Sequence, residues 1–403
     1  MGIAVKIIQS SDTSAWDAYV NVHPKANLYH LSGWKNVIKN AYGHKAYYLI
    51  ALRSSQLTAH SSRFETGVSE IESTSPSSIL AFKPLAECVT GILPLIHLKH
   101  FLFGKRLISI PFFDFGGILA DNEEAEKALL FKAIHLSGTL KTKNIELRQT
   151  EALLPIRKSQ QRETESLRGK VTLSELSAMN CVLQTYTGKV RMMLDLPKSA
   201  EELMKIFRSK LRNKIKIPLK RGLFPKIGGI ELLDDFYKVF SMNMRDLGSP
   251  VHSRNLLANV LKEFPERAKI VLVYKEKKPL AGSIIIGFRD VLENPWASFV
   301  RKYRSLHANM LLYWAMLEYG CENGYKSFDF GRSTPGEGTY TFKKQWGAKS
   351  TPLYWSTISS NGNIIEEELN IKSKFDKAIQ CWKKMPVPIT KIIGPRIRKH
   401  ISL

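Results

Sequence analysis

Four side chains late in the chain have the types and spacing for polar chemistry: Asp329, Arg332, Lys343 and Trp346, in the run "FDFGRSTPGEGTYTFKKQW". A carboxylate in such a run can take a proton from an amine, hold the amine in place, or simply cap the loop that follows it. A guanidinium three residues on can pair with a substrate carboxylate or phosphate, or with Asp329 itself. Between them a Gly-rich turn carries Ser333, Gly338 and Thr339, and glycine lets backbone approach a ligand closely. Lys343 and Trp346 add a cation and an aromatic face for an anionic, ring-bearing substrate. Trp346 fits a core position equally well, and Lys343 a solvated face. Asp329 and Lys343 are the candidate catalytic residues, and Arg332, Ser333, Gly338, Thr339 and Trp346 are candidate substrate contacts.

Other cations extend this set. Arg245 in "NMRDLG" can pair with Asp246 or a substrate. The loop "RKYRSLHAN" brings Arg301 and Arg304 to a helix starting near Asn309, and a cationic loop at a helix N-terminus favours an anion. A helix over 203–216 is expected to bury Leu203, Ile206, Phe207, Leu211 and Ile215, with Pro218 ending it. Its other face carries Arg208 and Arg212 with further lysines, a density of charge suited to phosphate. No Ser/His/Asp order, GxSxG or Cys/His pairing stands out, and no Cys/His set has metal spacing. The pattern fits direct transfer of an acyl group from an ester or thioester to an amine, without a covalent enzyme intermediate and with no bound cofactor or metal.

The elements that must position these residues follow an α+β order. "AVKII", "AYYLIAL" and "TGILPLIHL" read as strands, with helical stretches before and after. Asp121 with Glu124 reads as a capping box opening a helix that delivers the strand "NIELR", and Ser199 with Glu202 reads as another. The order of helices, largely antiparallel strands, helix and strand matches the acyltransferase fold called GNAT, twice in tandem. The first GNAT-like domain is placed at 1–170 with an exposed insertion at 53–80. The second is placed at 171–365, and a basic tail follows at 366–403.

A slide of 183 positions sets 129–149 on 312–333, which is one residue longer, so that Glu146 falls on Asp329 and Lys143 on Lys326. The "FDFG" shared by 113–116 and 328–331 is out of register with that duplication. By analogy alone, Asp114 therefore has no claim to a role. The helix start of the first half is acidic (Asp121, Glu123, Glu124), and that of the second is cationic, so an anionic ligand belongs to the second.

"KIFRSKLRNKIKIPLKRGL", "NMRDLGSPVH", "WASFVRKYRSLHANMLLYW" and "FDFGRSTPGEGTYTFKKQWGA" together resemble Fem-type (FemAB-related) proteins. More narrowly they resemble the subgroup found with exosortase/PEP-CTERM and exopolysaccharide systems. The resemblance implies transfer of an amino acid from aminoacyl-tRNA, or of another acyl group, to an amine of a peptidoglycan-type or exopolysaccharide precursor. Acyl-CoA is the other donor to consider, serving N-acylation of an amino sugar or peptide. GNAT enzymes using acetyl-CoA carry [Q/R]xxGx[G/A] before the corresponding helix, whereas Arg304-Ser-Leu-His307-Ala-Asn309 has His where Gly is needed.

The chain of 403 residues has 60 Lys+Arg against 36 Asp+Glu, a net charge of +24. That excess calls for an anionic partner: a phosphate-bearing precursor, tRNA, or an acidic membrane face. The tail "KFDKAIQCWKKMPVPITKIIGPRIRKHISL" mixes cations with Trp382, Ile389, Ile392 and Ile393, a pattern that suits the inner membrane surface or, equally, a terminal helix docked on the protein and followed by a disordered end. A non-catalytic basic module binding membrane or RNA is the contrasting reading. Dispersed cysteines and the lack of a signal-like N-terminus or a membrane-length apolar run suggest a cytoplasmic protein.

Overall fold

The computed structural model describes residues 2–53, 88–100, 104–153, 181–360 and 367–402. Most of the 53–80 insertion and the boundary placed at 170 lie outside the described residues. The first part of the chain runs β1 (Ile3–Ile7), α1 (Thr13–Val22), α2 (Gly33–Tyr42), β2 (Lys45–Arg53), β3 (Val89–His100), β4 (Gly104–Ile108), β5 (Leu119–Ala120), α3 (Glu123–Leu140) and β6 (Asn144–Gln149). Next come β7 (Cys181–Tyr186), β8 (Val190–Asp195), α4 (Ala200–Ile206), α5 (Ser209–Lys220), β9 (Leu223–Gly228), α6 (Leu233–Leu247), α7 (Arg254–Glu263), β10 (Ala268–Lys275), β11 (Lys278–Phe288) and β12 (Val291–Phe299). The last part is α8 (Ala308–Glu322), β13 (Ser327–Ser333), α9 (Gly338–Lys344), β14 (Lys349–Pro352), β15 (Tyr354–Ser360), α10 (Glu367–Lys384) and α11 (Val387–Arg398).

Two mixed sheets result. The first has the order β1-β2-β3-β4-β6-β15-β7, with β5 pairing β3, and the second β9-β10-β11-β12-β13-β8-β14. Each is antiparallel except for one parallel pair, β4 with β6 and β12 with β13. In both, a long helix (α3 or α8) bridges that pair, because parallel neighbours need a crossover. The orders correspond strand for strand, so the duplication inferred from the 183-residue slide is visible as topology: Glu146 and Asp329 each stand on the last rung of a parallel ladder.

The sheets are interlocked in a way the sequence reading did not anticipate. β7 lies at the edge of the first sheet, but its successor β8 enters the second, between β13 and β14. β14 stays on the second sheet, and its successor β15 enters the first, between β6 and β7. Only Leu353 separates β14 from β15, too little chain for a two-residue hairpin, so the strands pass on to different sheets. Leu353 is fully buried, and its N–H donates to the Lys189 carbonyl at 2.9 Å.

Packing follows from these layers. α1, α2, α6 and α7 share one core with inward faces of both sheets, including Trp16, Trp34, Phe236, Leu256 and Ile284. A second core gathers α5, α8 and the far face of the second sheet. α8 is apolar almost all round, as a helix sunk in a core must be.

Three local expectations change. α3 is capped by Asn122, whose side chain accepts from the Ala125 N–H at 2.9 Å, while Asp121 accepts from the Tyr19 hydroxyl. The helix expected over 203–216 is two, broken at Phe207 and Arg208; Ile206 is 70% exposed rather than buried, and Pro218 lies inside the last turn of α5. Ser199 does cap α4 through the Glu202 N–H.

Candidate active site

The β12–β13 ladder pairs Val291 with Ser327, Leu292 with Phe328 and Glu293 with Asp329, and there it stops. Just beyond, β12 shifts register against β11 between Ile284 and Ile286, and β13 shifts against β8 between Asp329 and Arg332. Paired bulges re-aim side chains and let neighbouring strands part. Two carboxylates thus face each other at the point where the sheet opens, with Glu293 3% and Asp329 1% exposed.

Buried carboxylates need partners. Arg191 of β8 donates from Nε to Asp329 Oδ2 at 2.7 Å, and a terminal nitrogen lies 3.8 Å from Glu293 Oε1. The other oxygen of Asp329 accepts from the Gly331 N–H at 2.7 Å. Asp329 is therefore fixed at both oxygens. Arg191 also lies over the Phe115 ring at 4.3 Å, and its carboxylate neighbours overcome the burial that opposes its charge. Glu293 differs: burial, and then the charge of Asp329, push its carboxyl up to about 8 against the pull of Arg191. Its remaining partner is the phenol of Tyr29, itself held well above the ordinary value by burial.

The first half supplies the facing wall. Asp114 accepts from the Arg332 backbone N–H at 3.1 Å and from its guanidinium at 2.9 Å. The loop presenting Asp114 contains Ile110 and Phe112 at positive φ, a conformation costly for side chains of that bulk. It is held from several sides. Arg148 donates to the Phe113 carbonyl at 2.7 Å, Trp355 donates to the Asp114 carbonyl at 2.9 Å, and the Phe112 N–H reaches the Ser402 carbonyl at 2.6 Å. So Asp114 belongs to the site after all, for its contact rather than for the repeated word.

Cations gather along this wall. Arg148 and Arg332 both lie over the Trp355 ring, at 5.3 and 5.4 Å. Arg148 is buried against Glu146, whereas Arg398 of α11 donates from Nε to His252 Nε2 at 3.0 Å and makes no salt bridge among the described residues. Burial lowers Arg398 to about 10, and Arg332 and Arg148 add to that. In the first sheet Ile108 occupies the rung that Glu293 holds in the second, and Glu146 is neutralised by Arg148. Among the described residues, the paired acids occur in the second sheet and not in the first.

The remaining candidates divide. Lys343 is 7% exposed, and its ammonium donates to the carbonyls of Gly331 (3.2 Å) and Arg332 (2.6 Å); burial brings it down to about 8. It braces the β13 bulge instead of facing a ligand. Ser333 is buried beside it, and Gly338 and Thr339 are exposed at the start of α9. Trp346 is core, 1% exposed among Phe207, Tyr313 and Phe342, and offers no face to substrate. Arg245 pairs with Asp246 and donates to the Met385 carbonyl at 3.1 Å, which joins α6 to the C-terminal helices. Arg301 and Arg304 are exposed in the turn before α8, and Asn309 is half-buried in its first turn; His307 adopts φ 58°, as glycine would. Arg208 precedes α5 as its N-cap and Arg212 lies in its first turn, neither with a salt bridge among the described residues. None of these is hydrogen-bonded to the carboxylate pair among the described residues.

Glu293 went unnoticed in the sequence. Its signal is an acid in a largely apolar strand, "VLENPWASF", two residues before a proline that cannot donate to a ladder.

Residues 206–344 match the family model described as an acetyltransferase (GNAT) domain. Among solved structures, FemX is 16% identical with a TM-score of 0.59, over 87% of this chain and 96% of that one. A tandem GNAT protein from the clavulanic acid biosynthesis pathway is 10% identical with a TM-score of 0.51, over 90% and 99%. No curated protein matches the chain in sequence. The chain thus takes the tandem GNAT fold with a FemX-like architecture, and residues 206–344 are the part similar to a GNAT acetyltransferase domain.

Proposed function

We propose that the chain transfers an aminoacyl or other acyl group to an amine of an anionic cell-envelope or exopolysaccharide precursor, at the opening between β12 and β13. The observation that carries this is the buried Glu293–Asp329 pair on the last rung before the strands part. Glu293 is the base. Asp329, locked by Arg191 and the Gly331 N–H, keeps Glu293 from ionising too early and so tunes it close to neutral pH. Glu293 takes a proton from the ammonium, and the neutral nitrogen attacks the carbonyl carbon. The bond to the leaving oxygen or sulfur then breaks, and that atom carries away the electron pair and acquires a proton. No enzyme nucleophile is needed.

Arg332, stacked on Trp355 and adjacent to Arg398, suits the anionic part of the precursor. The cations of α5 and the 301–306 turn, which make no salt bridge among the described residues, suit the phosphates of aminoacyl-tRNA, and the His307 side chain disfavours the close phosphate approach that acyl-CoA requires. Peptidoglycan-type precursors and the polysaccharide precursors of exosortase/PEP-CTERM systems, reached from the cytoplasmic side, fit this reading.

The test is mass spectrometry of extracted precursors incubated with the protein and either an aminoacyl-tRNA pool or acetyl-CoA. A mass increase of one aminoacyl residue on a precursor, lost in Glu293→Gln, is expected. Acetylation at full rate without tRNA would favour the acyl-CoA alternative, and no product with either donor would overturn the reading.

A further inference from the structure

The last helix, α11, is built with two unlike faces. Thr390, Gly394 and Arg398, at four-residue intervals, are buried. Gly394 permits close docking on the protein, since a Cβ there would lie 3.0 Å from the Val251 nitrogen. The helix is therefore firmly seated, and Arg398 and the Ser402 carbonyl tie the segment that ends it to His252, Phe112 and Arg148.

The opposite face holds Ile389, Ile392, Ile393 and Ile397, all exposed, with Ile392 63% exposed. They recur at i, i+3, i+4 and i+8, one stripe along one side. A seated helix that turns four isoleucines outward has an apolar patch that the other described residues leave exposed. Charge selects the occupant. From Lys383 onward the chain has six cations and no acid, and Lys383, Lys384 and Arg396 are exposed beside the stripe. An apolar stripe with exposed cations near it, on a segment that carries no acid from Lys383 onward, matches a bilayer with anionic headgroups, where isoleucines enter the acyl boundary and cations meet phosphates. Among the described residues no helix is long and apolar enough to cross a membrane, so the contact is peripheral.

We propose that the outer face of α11 docks the protein onto an anionic phospholipid surface. This stands apart from the acyl-transfer reading, because it concerns binding in the absence of any turnover. Because α11 also abuts the Arg148–Asp114 wall, docking would hold the candidate site beside the bilayer.

The experiment is sedimentation of the full chain with vesicles of phosphatidylglycerol and phosphatidylcholine, or of phosphatidylcholine alone, at low and high salt. Binding to the anionic vesicles only, weakened by salt, is expected. Ile392→Glu/Ile393→Glu should lower it by about tenfold or more, and Arg396→Glu should lower it in part, while Ile206→Glu, at an exposed isoleucine on α4, should not. Thermal melts of each variant check that it is folded. Equal binding by wild type and the double variant, or binding indifferent to lipid charge, would overturn the proposal. So would sedimentation velocity showing a wild-type dimer that the double variant dissolves, since a second copy would then cover the stripe.

Discussion

Asp114 accepts two hydrogen bonds from Arg332, one from its backbone and one from its guanidinium, across 218 positions of sequence. The contact joins the first half to the β13 bulge and holds the guanidinium against Trp355. Because the side chains are 34% and 22% exposed, water screens the pair, and its loss should cost about 1 kcal/mol or less. Arg332→Ala is therefore expected to fold normally and to raise KM for an anionic acceptor by about tenfold, with kcat changed much less. Asp114→Asn should have a weaker effect in the same direction. Steady-state kinetics beside urea unfolding measures both, and an unchanged KM would remove Arg332 from the acceptor's seat.

Glu293 gives a prediction in which stability and activity move in opposite directions. Its folded value, about 8, lies above the ordinary 4.5, so the folded protein holds a proton that the unfolded chain releases between those limits. This group's contribution to stability is present below 4.5 and is lost as pH rises to 8. Glu293→Gln, which cannot ionise, should thus be the more stable protein above about pH 8 while its turnover falls by about 10²- to 10⁴-fold. In the wild type, kcat should climb with pH, pass half its plateau near 8 and level off above that. Melting curves and rates between pH 6 and 9 read both, and a pH-independent kcat limited by chemistry would exclude Glu293 as the base.

Asp329 should behave differently, since it is locked between Arg191 and the Gly331 N–H. Asp329→Asn strands a largely buried guanidinium, a defect costing about 3 kcal/mol. Asp329→Leu/Arg191→Met removes both charges and should recover much of that stability while staying inactive. Urea unfolding of the single and double variants forms the test, and additive losses would show that the two side chains are not a coupled pair.

These residues also show how far a sequence can be read. The helix-to-strand units and the match of Glu146 with Asp329 rest on periodicity along one stretch of chain, and the topology bears them out. Asp114 and Glu293 rest on which strands become neighbours, a choice made by tertiary packing between distant segments. Trp346 and Lys343 illustrate another limit: the same residue types serve a cleft or an interior, and only neighbours such as Phe207 or the Gly331 carbonyl decide. The exchange of β8 and β15 left no trace in composition, because strands bound for either sheet carry the same alternation.

That exchange has its own consequence at Leu353. β14 and β15 are joined through this single buried residue, and each completes a different sheet, so neither sheet can lose its strands without opening the other. The shared core of α1, α2, α6 and α7 couples the halves further. Unfolding should therefore be one transition despite two sheets, with fluorescence and circular dichroism coinciding in urea. Leu353→Ala leaves a cavity at the crossing and should cost about 3 kcal/mol, within the range for buried leucines, without splitting the transition. If the variant instead unfolded in two separate steps, the strand exchange would not be what binds the sheets together, and the helical core alone would have to explain their union.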